Sequence, residues 1–441
     1  MEQCDLIISC RWAAPVVPAD TVLEHHALVI RDGTIVALVP AAQASARFAA
    51  ADVVHLDDHL VIPGLVNAHT HAAMSLFRGL ADDLPLEVWL HEHIWPAEGR
   101  WIDAEFVRDG TRLAIAEMLL GGTTCFNDMY FFPDIVAETV AAAQMRASVG
   151  MILVDAPTPW AKDAGEYLSK GVAVHDRYAS HPLVSTHFAP HAPYSVSEAS
   201  LGKLRALADQ LDVPVHMHVH ETAAEVAAEE EANGVRPLER LRRLGFVNGS
   251  LLAVHMTCLT DEEIALAADA GVSVAHCPES NLKLASGIAP VARLLEAGIN
   301  VALGTDGAAS NNDLDMLGEM RTAALLGKAA AGDASALSAH TVLRMATLNG
   351  AAALGLADSI GSLEPGKWAD ICAVDLSAPR TQPVYEPVSQ LVYAAEASQV
   401  SDVWVAGRQL VRHGRLSHLR LDDISGRAAE WREKIWNYDH E

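Results

Sequence analysis

Residues 61–71 read VIPGLVNAHTH, an apolar run that ends in two histidines separated by one residue. A short apolar run of this kind predicts a buried strand, and side chains two positions apart on a strand point to the same side. The imidazoles of His69 and His71 are therefore placed to reach one metal ion. An isolated H-x-H motif is weak evidence for a metal site, so the prediction depends on further candidate ligands elsewhere in the chain.

Seven further short apolar runs follow, and several end in histidine or in an acid. Stretches with the three- and four-residue apolar spacing of amphipathic helices separate them, for example 104–120, 198–211, 222–244 and 261–270. Eight strand–helix units in about 300 residues predict a closed (β/α)8 barrel rather than an open doubly wound sheet, and the C-terminal ends of its strands would meet at one mouth. The candidate strands are 61–67, 122–127, 148–154, 183–188, 213–219, 250–256, 272–276 and 299–304.

Both ends of the chain carry short alternating runs that predict a second, smaller β-domain. The dipeptides Asp32-Gly33 and Ala406-Gly407 lie between such runs and predict hairpin turns. We expect a β-sandwich built from residues 1–60 and 363–441, the latter with a terminal amphipathic helix, and the metal-dependent barrel between them at 61–362.

Composition narrows the functional classes. The formal net charge is −26 without a Lys/Arg cluster, so nucleic acid is not an expected partner. Six scattered cysteines form no C-x-x-C pair, which favours a reduced, cytoplasmic location. The sequence has no apolar run of 18 residues and no glycine-rich phosphate loop, so we expect neither a membrane span nor a nucleotide cofactor.

The fifth candidate strand offers three histidines, of which one need bind a metal. His216, His218 and His220 share a face of a regular strand. We favour His218, because it stands three residues before Glu221, where the chain turns into helix and the alternation fails. His216 would then lie deeper in the barrel and His220 would be structural.

Three further strand ends carry candidate groups. Asp306 closes the last strand and is either a metal ligand and proton acceptor or a helix N-cap, and we favour the former. His255 is a candidate ligand or a hydrogen-bonding partner of water or substrate. His276 is equally well explained by a structural role.

These motifs together resemble the amidohydrolase superfamily over nearly the whole chain. The resemblance rests on PGLVNAHTH at 63–71, the H-x-x-E at His218–Glu221, His255, LGTDG at 303–307 and LEPGKWAD at 363–370. Within the superfamily the chain is most similar to the 5′-methylthioadenosine/S-adenosylhomocysteine deaminases of the triazine hydrolase group. MSLFRG at 74–79 also resembles that group. Glu98 and His191 match its substrate-binding positions.

The resemblance also implies the number of metal ions. Binuclear members bridge two ions with a carbamylated lysine or a carboxylate at the end of strand four, and LVSTHF at 183–188 offers neither. We therefore expect one ion per chain. Zinc suits three imidazoles and a carboxylate, and Fe²⁺ has similar ligand preferences. The implied ligands are His69, His71, His218 and Asp306.

The implied reaction is hydrolytic deamination at C6 of the adenine ring, with water activated by the metal. Asp306 would take the proton of the water, His255 would orient the water, and Glu221 would protonate the ring nitrogen. Glu98 would accept hydrogen bonds from the ribose hydroxyls, and His191 would hold the ribose or the purine. The expected product of 5′-methylthioadenosine is 5′-methylthioinosine, with ammonia.

The expected substrate preference depends on a missing arginine. Members that accept S-adenosylhomocysteine hold its carboxylate with arginine before the strand-four histidine, and residues 147–176 contain none. We therefore expect a preference for 5′-methylthioadenosine, with S-adenosylhomocysteine and adenosine as further substrates. Several apolar residues nearby either pack in the core or line the mouth of the barrel. If they line the mouth, they suit a methylthio group better than a carboxylate: Trp89, Met129, Tyr130, Phe131, Phe132, Pro157, Pro159 and Trp160.

Two other classes of function remain open. The same site could serve a triazine or N-ethylammeline-type chlorohydrolase, or a deaminase of free guanine, 8-oxoguanine or cytosine. A metal-free structural relative is the remote alternative. The expected partners are a small purine nucleoside and further copies of the chain in a homo-oligomer.

Overall fold

The computed structural model describes residues 1–439, with side chains up to Asn437. The chain forms two compact units. One contains residues 1–67, 116–125 and 315–419, and the other contains residues 68–115, 126–314 and the chain from Arg420 onward. None of the described helices is long and apolar enough to cross a membrane. The predicted domain boundaries at 60/61 and 362/363 stay predictions.

The strands alternate with helices through the middle of the chain. The described strands are β1 (Glu2–Ala13), β2 (Leu23–Arg31), β3 (Thr34–Pro40), β4 (Phe48–Pro63), β5 (Leu65–Thr70), β6 (Thr123–Asp128), β7 (Arg146–Leu153), β8 (Val184–Pro190), β9 (Val215–Val219), β10 (Leu251–His255), β11 (Ser273–His276), β12 (Asn300–Leu303), β13 (Ile371–Asp375), β14 (Val400–Val405), β15 (Arg408–Arg412) and β16 (Arg415–Leu416).

The helices are mostly short, and a π-helical turn at Trp89–Ile94 joins α2 to α3. The described α-helices are α1 (Ala41–Arg47), α2 (Leu86–Val88), α3 (Trp95–Trp101), α4 (Ala104–Leu120), α5 (Pro133–Ala143), α6 (Ala164–Tyr178), α7 (Glu198–Leu211), α8 (Ala223–Asn233), α9 (Pro237–Arg243), α10 (Asp261–Ala270), α11 (Pro278–Lys283), α12 (Val291–Glu296), α13 (Met316–Ala331), α14 (Ala339–Met345), α15 (Leu348–Ala353), α16 (Pro387–Tyr393) and α17 (Leu421–Asp439).

Both ends of the chain meet in one eight-stranded sheet, in the order β16-β15-β14-β13-β4-β1-β2-β3. Neighbouring strands in this sheet pair antiparallel, except that β1 pairs parallel with β4. The predicted hairpins occur at β2–β3 and β14–β15. Asp32 and Gly33 adopt φ of 50° and 75°, and Ala406 and Gly407 adopt 47° and 74°, which is the left-handed conformation that tight hairpin turns require.

Strands β5 to β12 form the second sheet, and each is hydrogen-bonded to its neighbours in sequence order. From β7 to β12, neighbouring strands pair parallel. The first and last strands of this sheet lie close together. The backbone N–H of Asp306, after β12, donates to the carbonyl of His69 in β5 at 3.0 Å. This is the predicted (β/α)8 barrel, and together with the terminal sheet it confirms the fold class.

The predicted strand bounds hold within two residues for β6 to β12, but the first strand differs. The run at 61–67 is divided: β4 ends at Pro63 and β5 begins at Leu65. A Cβ on Gly64 would lie 2.1 Å from Oγ1 of Thr124, so only glycine allows this close approach. Apolar character continues through the break, which is why the sequence pattern does not reveal it.

The predicted helix at 222–244 is also divided, into α8 and α9. Gly234 follows α8 with φ of 69°, and Pro237 is the first residue of α9. A left-handed glycine after the last turn and a proline at the first helical position are the usual end and start of helices. The apolar spacing continues across the gap, so periodicity alone joined the two helices.

Closure of the barrel generates a stability prediction. A Cβ on Gly304 would lie 2.8 Å from the backbone nitrogen of His69, so Gly304→Ala should force the first and last strands apart. We expect a loss of about 1–3 kcal/mol in the free energy of unfolding. The control is Gly202→Ala in α7, where a Cβ meets nothing within 4 Å and where alanine should stabilise by about 0.5–1 kcal/mol. Urea unfolding followed by circular dichroism measures both, and equal stability of the two variants would contradict the tight closure.

Candidate active site

Four side chains from three parts of the barrel converge at the C-terminal ends of its strands. Nε2 of His69 and Nε2 of His71 each lie 3.2 Å from Oδ1 of Asp306. Nε2 of His218 lies 3.2 Å from Nε2 of His69. One nitrogen or oxygen atom from each of the four residues lies within 4.8 Å of the others. We call these residues the His–Asp cluster.

The backbone conformation at Asp306 directs its carboxylate toward the imidazoles of His69 and His71. Asp306 has φ of 64°, a left-handed conformation that aspartate tolerates better than most residues. Its Oδ1 accepts the N–H of Gly307 at 2.8 Å, and its Oδ2 accepts the hydroxyl of Ser280 at 2.7 Å. The carboxylate is therefore fixed in one orientation beside His69 and His71.

Hydrogen bonds behind the rings set the tautomers of two of the histidines. Nδ1 of His71 lies 2.6 Å from the carbonyl of Met129, and Nδ1 of His218 lies 2.8 Å from the carbonyl of His191. A carbonyl only accepts, so each Nδ1 carries a proton and donates it. With Nδ1 bonded in this way, Nε2 of both rings faces the centre of the cluster and is the nitrogen that could bind a metal.

The electrostatics of the cluster follow from burial and from one carboxylate. Burial lowers the pKa of His69 to about 4 and that of His218 well below its usual value. Burial acts in the same direction on His71, but Asp306 and the Met129 carbonyl outweigh it and raise that pKa to about 9. Burial would raise the pKa of Asp306, yet hydrogen bonds from His69 and His71 hold it well below its usual range. Asp306 is thus a buried carboxylate paired with the same Nε2 atoms of His69 and His71 that could bind a metal.

This donor set fits a divalent transition metal. A tetrahedral ion with ligands at about 2.0–2.2 Å separates neighbouring ligand atoms by roughly 3.3–3.6 Å. The observed separations of 3.2 Å lie close to that value. Three imidazole nitrogens with one carboxylate oxygen also match the ligand types that zinc prefers.

Glu221 lies beside the cluster, just beyond the end of β9. Its Oε1 accepts the hydroxyl of Ser286 at 3.3 Å, and its Oε2 lies 3.7 Å from Nε2 of His255. Burial raises the pKa of the Glu221 carboxyl. Nδ1 of His255 is 2.8 Å from Oδ1 of Asn281, a bond that fixes the ring. Glu225 holds the segment by accepting the backbone N–H of Glu221 at 2.8 Å.

The cluster opens into a cavity of about 770 Å³ in the same unit. Glu98 reaches it from α3 and accepts the hydroxyl of Tyr130 at 2.9 Å, while burial raises its pKa to about 7. His191 reaches it from the end of β8, where Nδ1 contacts Oγ of Ser195 at 2.8 Å and burial lowers the pKa to about 3. Both predicted substrate-binding residues therefore face the space in front of the cluster.

The remaining predicted residues are distributed as follows. His216 lies beneath the cluster, with Nε2 2.9 Å from Nδ1 of His69. His220 points away, and its nitrogens contact the Cys258 carbonyl and the Leu238 N–H, as expected of a structural histidine. His276 is buried, and its Nδ1 has no hydrogen-bond partner among the described residues.

The aromatic and proline residues divide into two groups. Trp89, Met129, Tyr130, Phe131, Pro157 and Pro159 line the cavity. Trp160 is outside the lining and donates its indole N–H to Asp134 at 3.2 Å. Phe132 is also outside the lining and lies immediately before α5 with φ of 54°. For those two residues, packing is the correct explanation.

Sequence reasoning missed several residues that support the site. Ser280, Asn281 and Ser286 lie in and after α11, and they bond to Asp306, His255 and Glu221. Arg240 in α9 lines the cavity although it is far from the segment searched for arginine. None of these belongs to a recognisable spacing, so no sequence signal identifies them.

A parallel (β/α)8 barrel with imidazole and carboxylate groups gathered at its mouth defines the class of metal-dependent hydrolases. The amidohydrolase family model matches residues 60–410. The chain belongs to this family, as the resemblance in its sequence predicted.

Curated relatives match over almost the full length. The chain is 50% identical to a 5-methylthioadenosine/S-adenosylhomocysteine deaminase from Teredinibacter turnerae, over 98% of both chains. It is 49% identical to a protein of the same name from Saccharophagus degradans, over 98% of this chain and 97% of the relative.

The chain is also similar to solved structures of zinc-bound hydrolases. An adenosine deaminase from Xanthomonas campestris with bound zinc is 54% identical, covers 99% of both chains and superposes with a TM-score of 0.98. The atrazine chlorohydrolase TrzN from Arthrobacter aurescens, in complex with zinc, is 25% identical with a TM-score of 0.89, over 97% of this chain and 99% of TrzN.

Proposed function

We propose that the chain hydrolyses the C6 amino group of 5′-methylthioadenosine, giving 5′-methylthioinosine and ammonia, with S-adenosylhomocysteine and adenosine as further substrates. The observation that carries this proposal is the placement of Glu221 beside the His–Asp cluster, with Glu98 facing the same cavity. The names of the relatives at 49–50% identity support it.

The proposed cofactor is one Zn²⁺ ion per chain, with Fe²⁺ as the alternative, held by His69, His71, His218 and Asp306. Such an ion lowers the pKa of a water ligand and supplies a nucleophile near neutral pH. A single ion is proposed because strand β8 offers no lysine or carboxylate to bridge two. Its His187 bonds instead to Ser148 at 2.8 Å and to His216 at 3.1 Å.

Two side chains of this protein are proposed to transfer protons, and a third to orient the water. We propose that Asp306, whose carboxylate bonds to Ser280, accepts the proton of the attacking water, and that His255, which bonds to Asn281, orients that water. Burial raises the pKa of Glu221, which favours the protonated carboxyl that a general acid needs. We propose that Glu221 gives its proton to the ring nitrogen next to C6 and then assists the departure of ammonia.

Glu98 and His191 are proposed to bind the nucleoside. The Tyr130 hydroxyl holds one oxygen of Glu98, so the other is available for a ribose hydroxyl. His191 stays neutral because burial lowers its pKa to about 3, so it recognises ribose or purine through a hydrogen bond rather than a charge.

The cavity favours a methylthio group over an amino-acid carboxylate. Pro157 and Pro159 line it in the segment that lacks arginine. Arg240 also lines it, but its charge is compensated by Glu229 at 2.9 Å and Glu198 at 3.5 Å. A carboxylate at Arg240 would therefore meet the negative charge of Glu229.

The alternative reactions have less support. The likeness to TrzN keeps a chlorohydrolase as the second candidate, although its identity is half that of the deaminases. A deaminase of a free base would give Glu98 no ribose to bind. A homo-oligomer in the cytosol remains a prediction, as does the exclusion of nucleic acid.

The first prediction tests the metal site. His69→Ala and Asp306→Ala should each remove most of the metal and of the deaminase activity, because the loss of one of four ligands leaves a distorted site. Metal analysis of the purified variants, with circular dichroism to verify folding, measures this. A full complement of metal and normal turnover in either variant would show that the ligand set is wrong.

The second prediction separates proton transfer from metal binding. Glu221→Gln keeps the size and polarity of the side chain but cannot transfer a proton, so kcat should fall by about 10²–10⁴-fold. The metal content should match that of the unmodified protein. Loss of the metal would instead make Glu221 a ligand.

The third prediction concerns substrate choice. We expect a higher kcat/KM for 5′-methylthioadenosine than for S-adenosylhomocysteine. A buried methylthio group gains roughly 1–2 kcal/mol, whereas a buried carboxylate without a cationic partner costs several. Adenosine should be a weaker substrate.

The assay is ammonia release from these three nucleosides, guanine and a chlorotriazine side by side. Glu98→Gln serves as the control, since it should impair the nucleosides while leaving any turnover of a free base intact. Equal kcat/KM for the two thioether nucleosides would contradict the specificity, and preferred turnover of guanine or the triazine would contradict the proposed function.

A further inference from the structure

The segment between β5 and α4 lines part of the cavity and carries Glu98. We call residues 80–99 the cap segment. It contains α2, the π-helical turn and most of α3, and it lines the cavity with Leu86, Trp89, Leu90, Ile94, Trp95 and Glu98. These residues recur at the three- and four-residue spacing of one helical face. The cap segment therefore presents a single, largely apolar face to a nucleoside in the cavity.

Two side chains link the cap segment to the rest of the barrel by hydrogen bonds. Near its end, Glu98 accepts the Tyr130 hydroxyl at 2.9 Å. Near its start, Asp82 accepts from Nζ of Lys283 at 2.7 Å and from the side-chain amide of Asn312 at 3.2 Å. Within the part of the chain that the structure describes, no other side chain of the cap segment hydrogen-bonds outside it. The start of the segment is thus held by polar contacts at Asp82.

The contact at Asp82 is a network rather than a single ion pair. Lys283 also donates to the carbonyl of Ala309 at 3.3 Å and to Oδ1 of Asn312. The hydrogen bond from Lys283 lowers the pKa of Asp82, so the carboxylate is ionised at neutral pH. An isolated pair on the surface contributes little, but the side chains of Lys283 and Asp82 are only 21% and 39% exposed and share further hydrogen bonds.

The two partners of this carboxylate belong to segments that hold the His–Asp cluster. Lys283 ends α11, the helix whose Ser280 donates to Asp306 at 2.7 Å. Asn312 lies in the loop that follows β12 and contains Asp306. The network therefore ties the cap segment to the part of the barrel that holds the metal ligands.

Trp89 gives the face of the cap segment a further hydrogen-bond donor. Its side chain is 5% exposed and lines the cavity, and its indole N–H has no partner among the described residues. A buried donor without a partner is costly. An acceptor on the base or ribose of a nucleoside can pair with it.

We propose that Asp82, paired with Lys283 and Asn312, is a positioning residue that holds the cap segment, and with it Glu98, against the bound nucleoside. The inference rests on the proposed function and adds to it a residue outside the cavity lining. Without this contact the cap segment spends a larger fraction of the time away from the cavity. The apparent affinity for the nucleoside falls with the fraction that is in place.

Hydrogen exchange of the amides in the cap segment, followed by mass spectrometry, measures this opening. Asp82→Ala removes the carboxylate but leaves Lys283 bonded to Ala309 and Asn312. Exchange should become about two- to fivefold faster, the factor that corresponds to the loss of a partly exposed ion pair. Lys283→Met should act similarly, and the double variant should add little, because both changes break the same contact.

The kinetic readout separates positioning from general damage to the fold. In Asp82→Ala the KM for 5′-methylthioadenosine should rise about two- to fivefold. The kcat and the zinc content should match those of the unmodified protein, because Glu221 and the His–Asp cluster are unchanged. Asp82→Asn, which can still accept from Lys283, should recover part of the affinity, and circular dichroism verifies folding.

Arg243→Met is the matched control. It removes a surface ion pair with Glu239, at 2.9 Å in the same compact unit, and should change neither the exchange nor KM. Unchanged exchange in Asp82→Ala, equal acceleration in Arg243→Met, or faster exchange with an unchanged KM would overturn the inference. Loss of zinc from Asp82→Ala would also overturn it, since the residue would then act on the metal site. If the unmodified protein does not deaminate 5′-methylthioadenosine, the proposed function fails, while the exchange measurement still decides whether Asp82 holds the cap segment.

Discussion

The approach of the last barrel strand to the first is the constraint on which the site depends. The hydrogen bond from the Asp306 N–H to the His69 carbonyl brings the two ends of the parallel sheet together. Gly304 makes this possible, because any side chain there would collide with His69. The same contact places the Asp306 carboxylate against the imidazoles, so barrel closure and assembly of the His–Asp cluster are one event. Residues more than 230 positions apart thereby share one centre.

Burial supplies most of the chemistry of the site. It lowers the pKa of His69 and His218 and raises that of Glu221 and Glu98, so that these imidazoles stay neutral and these carboxyls hold protons more readily. Asp306 and His71 are the exceptions, because their contact holds the pKa of Asp306 well below its usual range and raises the pKa of His71 to about 9. The cavity thus combines one fixed carboxylate with imidazoles most of which are neutral, an arrangement suited to a cation and an uncharged nucleoside.

The proposed catalytic groups are held by residues that carry no sequence signal. Asn281 orients His255, Ser280 orients Asp306, and Glu225 anchors the backbone at Glu221. Each is an ordinary polar residue in a loop or at a helix start, and its role follows from the side chain it happens to face. Sequence spacing could not have predicted the pairs made by Asn281 and Ser280, because each joins two separate strand–helix units.

The sequence by itself determined the alternation of strands and helices, the barrel class, the hairpin turns and the residues of the His–Asp cluster. These features leave periodic or motif signals, since buried strands are apolar and their ends carry the polar groups. Only the tertiary structure decided where Gly64 breaks the first apolar run, that Arg240 is already neutralised by Glu229 and Glu198, and that His216 bonds to His69. Those facts depend on distances between segments far apart in sequence, and such distances are fixed only when the barrel closes.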